Sequence, residues 1–300
     1  MHCIKSNFDK IMRVLNDVLG SDMPAFGTLL RPGPKTKFSD IEIIALSFAA
    51  EAAGVISENH LFNILNSDYK TSFPNLISRR QYNDRLRNLF HFIEDIRKKM
   101  VNKMNALTDV FAIDSMPIEI CKLSREHRNT LGKDHAYAQP AKGFCASQNK
   151  YFYGYKLHAV CSPSGVVQLF DLGNAKIHDI HYLKEIAPNF RNCIITGDRG
   201  YVSDELKKHL LRRFNISLEV PSRSNQKVKS KVIKPLRVIR KRMETVFSQL
   251  CLQFKMQVNL AKQFLGFKTR ILAKITCMTM LQYINYVSGK PIGKIKSSLS

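Results

Sequence analysis

The sequence predicts an α/β protein: a mixed sheet with helices on its faces, preceded by an all-helical region. Three observations lead there. The first hundred residues place apolar side chains at helical spacing. From residue 108 the period changes to short apolar strands alternating with helices. Positive charge is concentrated at the C-terminal end, where residues 221–300 hold seventeen Lys and Arg against one acid, Glu244.

Within the first region, Asn7 to Leu19 sets Ile11, Val14, Leu15 and Val18 on one helical face. A breaker segment with Pro24, Pro32, Gly33 and Pro34 follows. Ser39-Asp-Ile-Glu42 is a capping box that opens the run IIALSFAAEA, ending near Gly54. Ser57 to Asn66 is a short helix. Ser78-Arg-Arg-Gln81 is a second capping box and starts one long amphipathic helix through about Leu107. Its basic opening, SRRQYNDRLR, suits a helix-turn-helix reader of DNA and an ordinary packing domain alike.

Val110 to Ile113 reads as a buried strand ending at Asp114, with the turn-forming Pro117 beyond. Residues 122–150 read as a long basic loop. YFYGYKLHAVC (151–161), a turn at Ser164-Gly165, and VVQLFDLG (166–173) form a β-hairpin. A helix over 178–187, the strand CIITGD (193–198), a helix from Asp204 to Arg213 and the strand ISLEVP (216–221) complete the alternation. After the basic loop SNQKVKSKVIK comes a helix carrying Glu244. Its buried stripe is Ile239, Met243, Val246, Leu250 and Phe254, with Arg237, Arg240, Glu244 and Cys251 along the flank. Residues 271–287 are apolar but interrupted by Lys274, Gln282 and Asn285, which makes a buried helix and not a membrane span.

Composition narrows the function. The chain has 300 residues, a net charge of +23 and 44% apolar residues, which is globular and basic. The C-terminal excess marks one surface suited to a phosphate backbone. No compact run of consecutive basic residues favours a membrane surface. Seven cysteines without a Cys-x-x-Cys pair point to a reduced, cytosolic compartment, and MHCIKSNFDK lacks the apolar core of a signal peptide.

Asp114 and Asp198 both end strands, so they can converge at one end of the sheet. Carboxylates that close repel unless divalent cations neutralise them. Oxygen ligands suit Mg²⁺ or Mn²⁺, while the lack of Cys/His spacing argues against zinc. A pair of such ions can activate a water and stabilise the leaving oxygen of a phosphodiester. Glu244, alone in a segment that otherwise attracts phosphate, fits a third ligand; its bland alternative is an i, i+4 ion pair with Arg240. Arg240 could then grip a phosphate in bidentate fashion. Asp171 reads as a strand residue and Asp179 as a helix cap. His127, His135, His178 and His181 read as loop or surface residues.

AIDSMPI around Asp114, Gly-Tyr-Lys-Leu-His (154–158), Gly-Asp-Arg-Gly-Tyr (197–201) and Arg-x-x-x-Glu-Thr-Val-Phe (240–247) together resemble the DDE transposases of bacterial insertion sequences. The resemblance covers about residues 107–260, and 36–66 is also similar to their N-terminal region. The spacings of 84 between the aspartates and 46 onward to the glutamate fit that family. It implies a ribonuclease H-like, five-stranded mixed sheet, a metal-binding catalytic triad of Asp114, Asp198 and Glu244, and two Mg²⁺ or Mn²⁺ ions. It implies cleavage of DNA at element ends and their joining to target DNA by direct transesterification. A nuclease without strand transfer and an inactive DNA-binding relic are the alternatives.

The DNA contacts expected are Arg237, Arg240, Lys241 and Arg242 on the Glu244 helix, with Lys156 and His158 on one face of the hairpin strand near Asp114. A homodimer in the DNA complex and a bacterial nucleoid location go with the resemblance. The chain departs from it at Arg237 and Cys251, where relatives often carry Tyr and Lys. Three regions are expected: 1–106 helical, with possible DNA-end recognition; 107–260 catalytic; 261–300 a helix and basic tail packing on the catalytic domain.

Overall fold

The structure, a computed structural model, describes residues 3–29, 36–105, 108–133, 135–221 and 233–299. Two predicted segments, the breaker positions Pro32, Gly33 and Pro34 and most of the basic loop before the Glu244 helix, lie outside them. The chain forms two compact units, one of residues 105–249 and one of residues 1–104 together with 250–300.

In the first unit the strands are β1 (Val110–Cys121), β2 (Ala141–Cys145), β3 (Lys150–Cys161), β4 (Val167–Asn174), β5 (Cys193–Thr196) and β6 (Ile216–Glu219). β3 runs antiparallel to β1 and β4 antiparallel to β3, while β5 and β6 continue in parallel on the other side of β1. The order β4-β3-β1-β5-β6 is the expected ribonuclease H-like mixed sheet. A sixth strand, β2, extends it by pairing with residues 150–154 of β3, just beyond the stretch that β4 occupies. This corrects the loop expected over 122–150, which instead holds short 3-10 turns and β2. Five residues, AKGFC, are too few to announce a strand by alternation.

β1 is also longer than predicted. Pairing with β5 stops at Ala112, but pairing with β3 continues to Cys121, so Asp114 lies inside β1 where its parallel ladder ends. Pro117 is tolerated there because only β3 flanks the strand. Gly154 stands opposite Glu119, where β1 bulges. A Cβ on it would fall 2.1 Å from the Ile118 carbonyl oxygen, which explains the glycine of the Gly-Tyr-Lys-Leu-His motif.

The sheet has two distinct faces. Ile113 of β1 and Val160 of β3 pack against α6 (Asp179–Ile186) and α7 (Asp204–Phe214) through Leu183, Leu206 and Leu210. The alternate residues, Ala112, Asp114, Leu157 and Cys161, point to the other face. There α8 (Lys234–Leu252) lays Arg242 and Val246 over the turn at Gly165. Met243 and Val246 are buried as predicted, whereas Ile239 is only partly so and Phe254 lies past the end of α8.

The second unit is helical: α1 (Ile4–Leu19), α2 (Asp40–Ala52), α3 (Glu58–Asp68), α4 (Arg79–Asn88), α5 (Phe90–Asn105) and α9 (Phe264–Val287). Both capping boxes form, Ser39 with Glu42 and Ser78 with Gln81. α2 is buried from Asp40 to Glu51 except at Glu42, because α1, α4 and α9 surround its largely apolar surface. Asp40 is satisfied by the Leu29 N–H at 3.0 Å and Arg85 Nε at 3.1 Å. The single helix expected from Ser78 to Leu107 is two, separated at Leu89. That residue's N–H is shared between the Arg85 and Leu86 carbonyls, so one turn tightens and Leu89 is drawn into the core.

α9 is buried along nearly its whole length. It packs on α2, and residues 250–299 group with the N-terminal helices, whereas 250–260 were expected within the region 107–260 and 261–300 packed upon it. Among the described residues no helix is long and apolar enough to cross a membrane.

Candidate active site

Three aspartates converge where β1 leaves β5. Asp114 lies on the α8 face of β1, and its Oδ1 accepts the Ser115 backbone N–H at 2.8 Å. Asp198 follows β5 after Gly197 and caps the 3-10 turn Arg199–Tyr201, its Oδ1 accepting the Gly200 N–H at 2.7 Å. The cap occupies one carboxylate oxygen. Asp179, at the start of α6, reaches the same end of the sheet, because a Cβ on Gly200 would fall 2.8 Å from Asp198 Oδ1 and 3.2 Å from Asp179 Oδ2. Gly200 thus leaves the space between two carboxylates open. Gly197 has a different reason: a Cβ there would fall 2.9 Å from the Tyr201 ring and 3.0 Å from Ile113.

Electrostatics agree with this grouping. Burial pushes the Asp114 carboxyl up to about 7, against the pull of the Ser115 N–H. The charges of Asp198 and Asp179 push further, and Arg240 pulls back. Tyr201 is fully buried, and its hydroxyl has no hydrogen-bond partner among the described residues. Burial raises its phenol well above the ordinary value, helped by Asp179, Asp114 and Asp198. Tyr201 thus belongs to the packed core under the sheet while lying close enough to the three carboxylates to feel their charge.

Folded Asp114 takes up a proton more readily than unfolded Asp114. Its stabilising contribution is therefore full below pH ~4 and lost as pH rises through about 7. At roughly 1.4 kcal/mol per unit, the penalty at pH 8 is at most about 4 kcal/mol. In EDTA, Asp114→Asn should stabilise the protein by up to that amount at pH 8 and by almost nothing at pH 4. Denaturant titrations of both proteins at the two pH values check this; an equal difference at both would contradict it.

The other predicted residues fall in varied places. Glu244 is exposed on α8, and it forms no ion pair with Arg240 among the described residues. Arg240, one turn before it on the same flank, is near enough to Asp114 to act on its charge. No three His, Cys, Asp or Glu side chains among the described residues stand close enough to hold a metal ion by themselves. Asp114 and Asp198 are thus brought together, while Glu244 stays at the rim. Arg237 and Lys241 are exposed on α8. Arg242 is tied to the β3–β4 turn, Nε donating to the Pro163 carbonyl at 3.2 Å.

Lys156 donates to the Ile177 carbonyl at 3.1 Å and to Asp179 Oδ1 at 3.2 Å. His158 is 1% exposed and stacked on Tyr182 at 4.7 Å, so the DNA contact expected of it is closed off by α6. Burial lowers its pKa to about 4, which keeps the ring neutral. Asp171 is exposed on β4, as read, and His127, His135, His178 and His181 are all exposed. Asp179, expected to cap α6, does not; the N-cap side chain is His178. The signal for Asp179 was Lys156, a cation on the α6 face of β3 that needs a counter-charge.

The family model of the transposase DDE domain matches residues 105–280. No curated protein matches the chain. Among solved structures, the crystal structure of a pre-cleavage Mos1 transpososome covers 92% of this chain and 96% of its own at 11% identity. Its TM-score of 0.23 lends nothing to the assignment. The family match spans more than half of the sequence and includes Asp114, Asp198 and Glu244, and the chain therefore belongs to the transposase DDE domain family.

Proposed function

We propose that this transposase cuts DNA at the ends of an insertion sequence and joins them to target DNA, with Asp114, Asp198 and Glu244 as its metal-binding triad. The observation that carries the reading is Asp114: a mostly buried carboxylate beside Asp198 and Asp179, with Arg240 as the opposing cation. Raised to about 7, such a group is only partly ionised at neutral pH, nearby positive charge would complete its ionisation, and an all-oxygen donor set fits Mg²⁺ or Mn²⁺. Bound there, a pair of divalent ions would activate the attacking oxygen and stabilise the leaving one. Water and phosphate oxygens would complete the coordination that the carboxylates leave open.

The chain's own residues do the rest. Arg240 sits beside Asp114, where its guanidinium can take a non-bridging phosphate oxygen. Lys156, anchored by Asp179, presents positive charge on the α6 side. Arg237 and Lys241 line the exposed face of α8 and carry phosphates further along the duplex. Attack by water and then by the freed 3′-hydroxyl runs in line, with no covalent protein intermediate. A homodimer holding two ends together completes the proposal. Incubation with Mg²⁺ and duplexes bearing the element's inverted repeats tests it: strand-joined product is expected, and cleavage alone would restrict the enzyme to hydrolysis.

Binding should also weaken steeply with salt. Each phosphate contact contributes about −0.9 to the slope of log K against log salt, so Arg237→Ala with Lys241→Ala should flatten it by about 2. Cognate and random DNA should suffer alike, since phosphate contacts carry no sequence information. Fluorescence anisotropy across a salt series measures this, and an unchanged slope would remove α8 from the DNA path.

A further inference from the structure

Asp179 does not cap its helix. His178 Nδ1 fills that role, accepting the Ile180 N–H at 3.3 Å. The Asp179 carboxylate turns to the sheet. Its Oδ1 accepts from Ser115 Oγ at 3.0 Å and from Lys156 Nζ at 3.2 Å. The neighbouring backbone N–H of Ser115 goes to Asp114 Oδ1 at 2.8 Å. A connected path of hydrogen bonds therefore runs from Asp179 through Ser115 to Asp114, crossing from the α6 face of β1 to the α8 face. Oδ2 of Asp179 meanwhile borders Asp198 across the space at Gly200.

His158 is the other base facing this carboxylate, with Nδ1 at 3.7 Å from Oδ1. Neither ring nitrogen has a hydrogen-bond partner among the described residues. A neutral ring leaves Lys156 as the cation that balances Asp179. Lys156 is fixed from two sides, by Asp179 and by the Ile177 carbonyl.

We infer that Asp179 is a positioning residue of the reaction centre: through Ser115 it sets the direction in which Asp114 presents its carboxylate, and it holds Lys156 beside the aspartates. The inference rests on Asp114 and Asp198 being the cation-holding pair. Carboxylates that bind metal are oriented by their own hydrogen bonds, and losing such a partner lowers metal affinity or activity about 10–100-fold.

Calorimetric titration of the full-length protein with MnCl2 tests it without any need for DNA or turnover. Asp179→Ala and Ser115→Ala should each weaken Mn²⁺ binding about 10-fold or more, and the double substitution should be no worse than Asp179→Ala alone. Asp179→Asn keeps an acceptor for Ser115 and should recover part of the loss. Thermal melts accompany each titration, because a merely structural Asp179 would lower the melting temperature and leave Mn²⁺ affinity in place. If Asp179→Ala does not fold, Ser115→Ala decides by itself, since it leaves the Lys156–Asp179 pair intact. Wild-type affinity in these variants, or losses that multiply in the double, would overturn the inference alone. A wild-type protein that binds no Mn²⁺ would overturn the cation-holding pair, and this inference with it.

Discussion

Asp114→Asn and Asp198→Asn should each lower cleavage of element ends by at least about 10³-fold while DNA binding persists. Metal-assisted stabilisation of a phosphoryl transition state supplies several kcal/mol, and each 1.36 kcal/mol is a factor of ten in rate. Asparagine keeps the shape of the side chain but removes the charge that holds a cation. The Ser115 N–H can still be accepted by the amide oxygen at position 114, so the strand is undisturbed. Glu244→Gln should share the loss of cleavage. It should not weaken DNA binding, because it removes the one acid of residues 221–300, which carry seventeen Lys and Arg. Asp171→Asn, on the exposed side of β4, serves as the control and should cleave normally. Gel assays of cleavage and of mobility shift on the same preparations separate the two effects. Cleavage retained in Asp114→Asn would refute the site.

The second large effect is on stability. Lys274 of α9 and Glu51 of α2 are each 3% exposed and pair at 2.7 Å, with Lys274 also donating to the Phe254 carbonyl at 2.6 Å. Arg270 holds the other oxygen of Glu51 at 2.9 Å. Burial lowers the Lys274 pKa, and Glu51 opposes that shift. Removing one member of a buried pair leaves an uncompensated charge in the core, which costs about 3–5 kcal/mol. Glu51→Ala leaves the buried Lys274 without its counter-charge, although Arg270 keeps Glu58 at 3.8 Å and the Ile56 carbonyl at 3.2 Å, and should reach the upper end of that range. Lys274→Met leaves Glu51 with Arg270 and should sit at the lower end. The double change to apolar residues should recover much of the loss, because replacing a buried ion pair by well-packed apolar groups is often close to neutral. Urea titrations of the three variants measure these differences. A Glu51→Ala protein as stable as wild type would show that the pair contributes nothing.

That packing also bears on DNA reading. A chain beginning near residue 107 would leave α9 without α2, so truncation cannot isolate the role of the N-terminal helices. Point changes on α4 are the better probe. Arg85 is bound to Asp40, and Arg87 to Asp84 and Gln263, which leaves Arg79 and Arg80 as its exposed cations.

The parts of this fold that were legible in the sequence are those written in local chemistry. Ser39 with Glu42 and Ser78 with Gln81 placed two helix starts to the residue, because both partners of each capping box are in the sequence. The β3–β4 hairpin followed from alternation and Gly165. The break at Leu89 was hidden, since it comes from one leucine being drawn into the core and has no Gly or Pro to mark it. The partner of α9 was hidden too: an apolar helix shows that it is buried but not against what, and only the Glu51–Lys274 match across more than two hundred residues identifies α2.

At the site, Asp114 and Asp198 were legible as acids after apolar strands. Asp179 was not, because an acid at the start of a helix is most simply a cap, and His178 is an uncommon residue to take that place. His158 was misplaced for a related reason. Alternation put it correctly on the Lys156 face, but that face is covered by Tyr182 of α6, which no strand pattern reveals.

The most direct measurement is anomalous diffraction from crystals of the protein with end DNA and MnCl2. A manganese peak is expected about 2.1 Å from a carboxylate oxygen of Asp114 and of Asp198, with the scissile phosphate beside it. Protein that cleaves this DNA while its manganese lies elsewhere, with neither aspartate among the ligands, would contradict it.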